Sequence, residues 1–233
     1  MDPLVVLAID AAGSACSVAV GRGEAVLAAE QAAIVHGQAE ALLPMVDRVV
    51  RAAQVSPAGL DLIAVTVGPG SFTGIRAGLA AARGIGLGIG RPVLGVSAFA
   101  AAAASLSPGR LCAGGVLLVA LESRRAELYV QFFDASGLPQ GDPAVLPPGA
   151  LGERVAGVAG DGPVVIAGDA AERAADALRG RPRLTVAAGS APRAVGVLRA
   201  ALARWRRGDR GGEARPLYLH PPAVTRRPPV AAT

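Results

Sequence analysis

The sequence predicts an α/β protein with two ribonuclease-H-like subdomains of the actin-like ATPase (ASKHA) architecture, each with a mixed sheet flanked by helices. Three observations lead to this prediction. Three strand-like segments open the chain, and a tight turn at residues 21–24 joins the second to the third. Helical and strand-like segments then alternate up to residue 106. The same order starts again after a Ser-Pro-Gly break at residues 107–109, without a residue-level repeat.

In the first half, short apolar runs indicate strands, and apolar residues three and four apart indicate helices. The predicted strands are residues 4–9, 15–20, 25–29, 62–67 and 92–96. The predicted helices are residues 37–54, 73–89 and 98–106. Pro44 lies inside the first helix and is expected to bend it or to mark its first turn.

The second half repeats this order of elements. The predicted strands are residues 116–121, 127–133, 144–146, 164–167 and 184–187. The predicted helices are a short one that opens at residues 147–149, then residues 171–178 and 192–206. The sequence therefore predicts an N-terminal subdomain at 1–106, a C-terminal subdomain at 107–220 and a tail rich in proline and arginine at 221–233.

Composition favours a soluble cytoplasmic protein. Hydrophobic residues make up 52% of the chain and aromatic residues only 3%, so the core must consist of Ala, Val, Leu and Ile. The longest apolar runs are broken by Gly, Arg and Pro, and the N-terminus lacks the basic start of a signal peptide. Cys16 and Cys112 do not indicate a disulfide framework. The net charge of +5, carried by arginine without lysine, permits contact with nucleic acid, and a solvated basic surface is the alternative.

A glycine-rich turn at residues 68–74 links the fourth predicted strand to its helix. Such a turn points the free N–H groups of a helix N-terminus beyond the strand end. A Walker A loop needs Gly-Lys-Ser/Thr, whereas Gly74 is followed by Ile75 and Arg76. The dinucleotide fingerprint fails as well, because Thr73 stands where its third glycine belongs. Ser71 is interpreted as the cap of the following helix rather than as a nucleophile.

The helix after this turn carries a ridge of small residues. Gly74, Gly78, Ala82 and Gly86 are four apart and therefore lie on one face. Glycine inside a helix costs roughly 1 kcal/mol relative to alanine, so close approach of another backbone is the expected gain. Two hypotheses remain open: the ridge packs on the chain's own sheet, or it contacts a helix of a partner protein.

The loop after the first strand is the candidate nucleotide site. Asp10 ends the strand, and Gly13 and Ser14 follow in a small-residue turn. In actin-like ATPases this place holds a carboxylate linked to a metal near the phosphates, whereas an aspartate that bonds its own turn is the alternative. The counterpart turn at 122–125 has no glycine, so its backbone cannot approach a phosphate in the usual way. We therefore interpret Asp10, Gly13 and Ser14 as a vestigial phosphate loop.

No catalytic or metal-ligating set is predicted. His36 and His220 are the only histidines and lie in different halves of the chain. No Cys-x-x-Cys exists, and no histidine and aspartate lie near Ser71 in the sequence. We expect no metal and no catalytic residue.

Several segments, in order along the chain, resemble the bacterial TsaB (YeaZ) family. They are residues 7–10, 15–19, 36–38, 42–45, 68–76, 92–97, 127–129 and 216–219. The run GPGSFTGIR at 68–76 is the most specific of them. Two departures weaken nucleotide binding: Ala11 stands where the family commonly has threonine, and Glu122 where an aspartate is common.

The resemblance implies a non-catalytic scaffold that activates its paralogue TsaD, the transferase that attaches threonylcarbamoyl to N6 of adenosine 37 in tRNAs reading codons that begin with A. It implies TsaE, an ATPase, as a further partner, contact with tRNA through the complex, and a homodimer in isolation as an open alternative. Ala98 and Ala102 fall where TsaD has its two metal-binding histidines. No cofactor is expected beyond weak ATP or ADP binding within the complex.

The family's interface with TsaD uses two helices, here residues 37–54 and 73–89. The interface residues predicted from this resemblance and from the small-residue ridge are Leu42, Met45, Val49, Gly74, Gly78, Ala82 and Gly86. Two other classes of function remain as alternatives: an ATPase or kinase of the actin-like superfamily, and an M22-type peptidase-like protein.

Overall fold

A computed structural model describes residues 3–33, 38–106, 115–187, 193–210 and 214–220. The first part contains β1 (Val5–Asp10), β2 (Ala15–Arg22), β3 (Ala25–Ala33), α1 (Gln38–Ala52), β4 (Leu62–Gly68), α2 (Phe72–Ile89), β5 (Val93–Ser97) and α3 (Ala98–Ala104). The second contains β6 (Val116–Glu122), β7 (Leu128–Phe133), β8 (Pro139–Leu146), α4 (Leu151–Ala159), β9 (Val164–Ala167), α5 (Ala171–Ala177), β10 (Leu184–Val186) and α6 (Ala194–Arg206).

The strands form two mixed sheets with the same topology, which confirms the predicted fold class. The first sheet has the order β3-β2-β1-β4-β5, and the second has β10-β9-β6-β7-β8. Strand β1 pairs antiparallel with β2 and parallel with β4, and β6 pairs in the same way with β7 and β9. Helices cover both faces of the first sheet, which explains why all six residues of β1 are buried and apolar apart from the terminal Asp10.

Helices α1 and α2 cover one face of the first sheet, and α6 covers the other. Leu7, Ile9 and Val65 belong to the cluster under α1 and α2, whereas Val6 and Ala8 belong to the cluster under α6. Helix α3 contacts α6 and also packs on the second sheet, so it joins the two halves. Helices α4 and α5 cover the remaining face of the second sheet.

Helix α6 follows the second sheet in the chain but packs on the first. The predicted division at residue 106 placed it with the second half; its apolar positions Val197, Leu198 and Ala201 instead lie in the core of the first sheet. The contact with α3 depends on Gly196, where a Cβ atom would collide with the carbonyl oxygen of Ala101. A glycine is therefore required where the two helix backbones approach each other.

One element prediction differs from the structure, and one of the two alternatives for Pro44 is excluded. Strand β8 begins at Pro139, five residues before the predicted start, because its first half is polar and exposed and lacks the apolar alternation by which strands are recognised. It tolerates Pro143 because it lies at the edge of its sheet. Pro44 lies in the second turn of α1, which excludes the first-turn alternative, and a bend at Pro44 stays a prediction. His36, Cys112 and the tail at 221–233 lie outside the described residues.

The helices of the described residues are too short or too polar for one of them to span a lipid bilayer.

Candidate functional site

A polar cavity of about 260 Å³ lies between the carboxyl ends of β1 and β4 and those of β6 and β9. Open α/β sheets bind ligands at this edge. The cavity is lined by Ala12, Gly13, Ser14, Pro69, Gly70, Ser71, Ala98, Leu121, Glu122, Ser123, Arg124 and Asp169. Gly13 and Ser14, two of the three residues predicted to form a nucleotide site, line this cavity, and nucleotide binding there stays a prediction.

Hydrogen bonds hold together the first wall of the cavity, which consists of the loops after β1 and β4. The backbone N–H of Ser71 donates to the carbonyl oxygen of Ala12 at 2.6 Å. Gly70, at φ +155°, leaves no room for a side chain beside that carbonyl group. The Ser71 hydroxyl accepts a hydrogen bond from the backbone N–H of Gly74 at 3.3 Å, which confirms that this serine caps α2.

Asp10 lies behind the first wall and does not line the cavity. It is buried, and its Oδ1 accepts a hydrogen bond from the backbone N–H of Ala12 at 3.1 Å. Burial raises the pKa of the Asp10 carboxyl group, and the hydrogen bond from Ala12 opposes that rise. The geometry is that of an aspartate bonding its own turn, the alternative that the sequence left open.

The opposite wall, at the carboxyl ends of β6 and β9, contains a cluster of charged residues that the sequence did not predict. Asp169 Oδ1 accepts from the backbone N–H of Glu122 at 2.9 Å, and the carboxylate of Glu122 pairs with Arg173. Burial is the main cause of a raised pKa at Asp169. Asp169 directly follows β9, so the rule that drew attention to Asp10 at the end of β1 could have identified it.

The turn between β6 and β7 is also bonded internally. Ser123 donates its hydroxyl to the carbonyl oxygen of Glu127 at 2.6 Å and accepts from the backbone N–H of Arg125 at 3.1 Å. Within the described part of the chain, no group of three His, Cys, Asp or Glu side chains could hold a metal ion. The cavity therefore offers hydrogen-bonding groups and the side chain of Arg124 to a ligand.

The small-residue ridge of α2 packs on the chain's own sheet, which corrects the expectation that it forms a partner surface. Gly74, Gly78, Ala82 and Gly86 are all buried. A Cβ atom at Gly78 would lie 3.5 Å from Val65 Cγ2. At Gly86 it would lie 2.7 Å from Val93 Cγ2 and 2.9 Å from the carbonyl oxygen of Arg91. Gly86 thus allows α2 to lie close to the sheet, whereas the space at Gly78 would accept one more carbon atom at ordinary contact distance.

The three interface residues predicted on α1 require the same correction. Leu42, Met45 and Val49 are buried in the core between α1 and the first sheet. They form the apolar stripe of an amphipathic helix, and such a stripe covers the chain's own sheet before any partner is present. The predicted residues face inward, and the use of α1 and α2 as a partner surface stays a prediction.

The outer surface of these helices carries different residues. On α2, Leu87 is 87% exposed, and a Cβ atom added at Gly84 or Gly88 would meet nothing within 4 Å. Ala80 is also exposed on this helix, and Leu43 is 54% exposed on α1. We call Ala80, Gly84, Leu87 and Gly88 the outer stripe of α2. The sequence missed it because α2 carries small residues on both faces.

The two sheets and the cavity between them define a protein of the actin-like class. The structure of a ROK hexokinase from Thermus thermophilus matches this fold with a TM-score of 0.51 and 19% identity, covering 89% of this chain and all of that one. A family model described as "TsaD: tRNA N6-adenosine threonylcarbamoyltransferase" matches residues 30–137.

Two closer comparisons identify the family. The tRNA threonylcarbamoyladenosine biosynthesis protein TsaB of Escherichia coli is 32% identical over 162 residues, which is 67% of this chain and 68% of that protein. The structure of YeaZ from Pseudomonas aeruginosa has a TM-score of 0.78 and 31% identity, covering 93% of this chain and all of that one. The chain belongs to the TsaB (YeaZ) family, which confirms the resemblance found in the sequence.

Proposed function

We propose that this chain is a non-catalytic subunit of the cytoplasmic complex that makes threonylcarbamoyladenosine in tRNA. In this role it docks on a TsaD-type transferase and activates it, and it meets tRNA and the ATPase TsaE within the complex. Family membership supports the pathway, because the relative in Escherichia coli carries the name of a tRNA threonylcarbamoyladenosine biosynthesis protein.

The outer stripe of α2 is the observation that carries the docking role. A leucine that is 87% exposed costs free energy in water, and a partner that covers it recovers about 25 cal/mol for each Å² of apolar surface removed from water. The open space over Gly84 and Gly88 lets the backbone of a partner helix approach closely. Leu43 extends the apolar surface onto α1.

The positions aligned with the transferase's histidines support the non-catalytic role. Ala98 and Ala102 are buried against the second sheet, in a cluster with Leu117 and Val119. Alanine offers no lone pair to a metal, and both side chains pack as ordinary core residues. The resemblance implies metal ligands at these positions in the transferase, whereas in this chain the same positions contribute to core packing.

A homodimer is part of the same proposal. Without the transferase, the outer stripe of α2 is available to a second copy of this chain. A transferase that binds the same surface would then dissociate the homodimer by mass action.

Co-purification with the TsaD-type transferase of the same organism tests the proposal. We expect a stable complex, and tRNA modification in a reconstituted system that rises when the chain is added. A transferase that neither binds the chain nor changes its modification yield would contradict the proposal.

A further inference from the structure

A second cavity, of about 340 Å³, adjoins the first and has aromatic and basic walls. It lies beside Pro69, Gly70 and Ser123, which both cavities share. The chain has four phenylalanines, two tyrosines and one tryptophan, and both tyrosines and one phenylalanine line this cavity. The remaining lining consists of Phe72, Arg125, Tyr129, Leu217, Tyr218, Leu219 and His220.

Two of these aromatic rings are exposed rather than packed in a core. Phe72 is 43% exposed and Tyr218 is 40% exposed, and their ring centroids lie 5.3 Å apart. The guanidinium group of Arg76 lies 3.7 Å from the centre of the Phe72 ring and donates to the Tyr218 hydroxyl at 3.2 Å. These contacts hold the rings in place, so that one more flat ring could stack on them with little loss of side-chain entropy.

The segment that carries Tyr218 is fixed to the body of the protein. The backbone N–H of Leu217 donates to the carbonyl oxygen of Val67 at 2.7 Å, and Arg83 donates to the carbonyl oxygen of Ala214 at 2.6 Å. Gly68 has no Cβ atom where the carbonyl oxygen of Leu217 approaches. The segment at 214–220 is therefore held in place by hydrogen bonds and forms one wall of the cavity.

His220, which lines the cavity, carries a ring nitrogen without a partner in the part of the chain that the structure describes. Tyr129 is buried, and its ring centroid lies 5.4 Å from that of His220. Nε2 of His220 is buried and has no hydrogen-bond partner among the described residues. A buried ring nitrogen of this kind gains free energy when a ligand supplies the missing hydrogen bond.

Three arginines lie at or beside the cavity: Arg125 lines it, Arg76 contacts Phe72 and Tyr218, and Arg124 lines the adjoining cavity. Within the described part of the chain, Arg76, Arg124 and Arg125 form no ion pair with a carboxylate. Glu122, the carboxylate beside them, is already paired with Arg173. Unpaired guanidinium groups of this kind bind phosphate, often with two hydrogen bonds each.

We propose that this cavity binds an unpaired segment of RNA, with a base stacked on Phe72 and Tyr218 and its phosphates on Arg76, Arg124 and Arg125. Aromatic platforms beside a basic groove are typical of proteins that bind single strands, whereas duplex RNA hides its bases. The cavity then holds one nucleotide of the strand, and His220 contacts a polar edge of its base. This role rests on the proposed function in tRNA modification and assigns a tRNA contact to this subunit.

The test measures binding of a fluorescent, unstructured RNA of about 12 nucleotides to the full chain. We expect Tyr218→Ala to weaken binding at least about fivefold, since stacking on one base is worth about that factor or more. Tyr218→Phe retains the ring but loses the hydrogen bond from Arg76, so it should bind more tightly than Tyr218→Ala. A duplex of the same length should bind more weakly than the single strand.

Salt dependence separates phosphate contact from a merely structural role. Arg125→Ala should lower the slope of log Kd against log salt by about 0.7, because one phosphate contact of a single strand is lost. Arg22→Ala is the matched control, since Arg22 is exposed at the amino end of β1, opposite to the cavity. It removes the same charge and should leave the slope unchanged.

Three results would overturn the RNA-binding role: no binding of the single strand, wild-type binding by Tyr218→Ala, or equal slope changes for Arg125→Ala and Arg22→Ala. If Tyr218→Ala lowers the melting temperature, Arg125→Ala decides alone, because its backbone contact to Ser123 is preserved. If these variants lose RNA binding but still bind the transferase, RNA binding and docking are separate roles of the chain. A chain that fails to bind the transferase but binds RNA would contradict the proposed function only.

Discussion

Replacing Gly86 and Gly84 by alanine, one at a time, tests where the small residues of α2 point. Both positions lie inside the same helix, so each replacement gains up to about 1 kcal/mol from helix propensity. At Gly84 the new Cβ atom meets open space. At Gly86 it would lie 2.7 Å from Val93 Cγ2 and 2.9 Å from the Arg91 carbonyl oxygen, closer than carbon atoms pack.

The neighbours of Gly86 cannot easily move aside. The backbone N–H of Arg91 donates to the carbonyl oxygen of Gly86 at 2.8 Å, which ties the loop to the helix end. Overpacking of this kind costs about 1–3 kcal/mol. We therefore expect Gly84→Ala to be more stable than wild type, and Gly86→Ala to be less stable than Gly84→Ala by about 1–3 kcal/mol.

Thermal unfolding of the two purified variants measures this difference. In a chain of this size, 1 kcal/mol corresponds to about 2–4 °C, so the melting temperatures should differ by about 2–12 °C. Equal melting temperatures would mean that Gly86 does not pack on the sheet, and the corrected orientation of α2 would then be wrong.

Three further predictions concern the core, the buried acid and the nucleotide. Gly196→Ala should lower the free energy of unfolding by about 1–3 kcal/mol because its Cβ atom meets the carbonyl oxygen of Ala101, whereas Gly157→Ala on the open side of α4 should not; urea unfolding of both variants measures it. Asp10→Asn should be more stable than wild type at pH 7, and this gain should vanish below pH 3.8. Burial raises the pKa of Asp10 in the folded protein above its ordinary value of 3.8, so the wild type loses stability as the pH rises from 3.8 to the folded pKa. Melting curves across this pH range check the sign. We also propose that the isolated chain binds ATP weakly or not at all and does not hydrolyse it, since Glu122 is engaged with Arg173; calorimetry giving a low-micromolar affinity would contradict this.

Much of the fold could be predicted because the signals are local. Apolar runs ending in Asp10 or in the glycine-rich turn at 68–74 mark strands and their carboxyl ends without knowledge of the tertiary structure. The start of β8 could not be predicted, because its polar residues form a strand only by pairing with β7. The packing of α6 on the first sheet could not be predicted either. Its apolar periodicity shows which side of the helix is buried but not which of the two sheets that side contacts.

The candidate sites were harder to predict for a related reason. A helix with small residues all around, such as α2, has no strong amphipathic signal to show which glycines face the sheet. Asp169 and Arg173 meet Glu122 only because β9 pairs with β6. The aromatic cavity likewise depends on Tyr218 returning to Phe72 over a long stretch of chain.

The affinity of the transferase for a Gly84→Leu variant tests the docking claim most directly. The new side chain fills open space on the free chain, so its melting temperature should not fall. Overpacking at a close interface costs about 1–3 kcal/mol, so calorimetry should show binding weakened roughly five- to 150-fold relative to wild type. The same change at Gly157, which also faces open space, should leave the affinity unchanged. Wild-type affinity for Gly84→Leu would show that the outer stripe of α2 is not the docking surface.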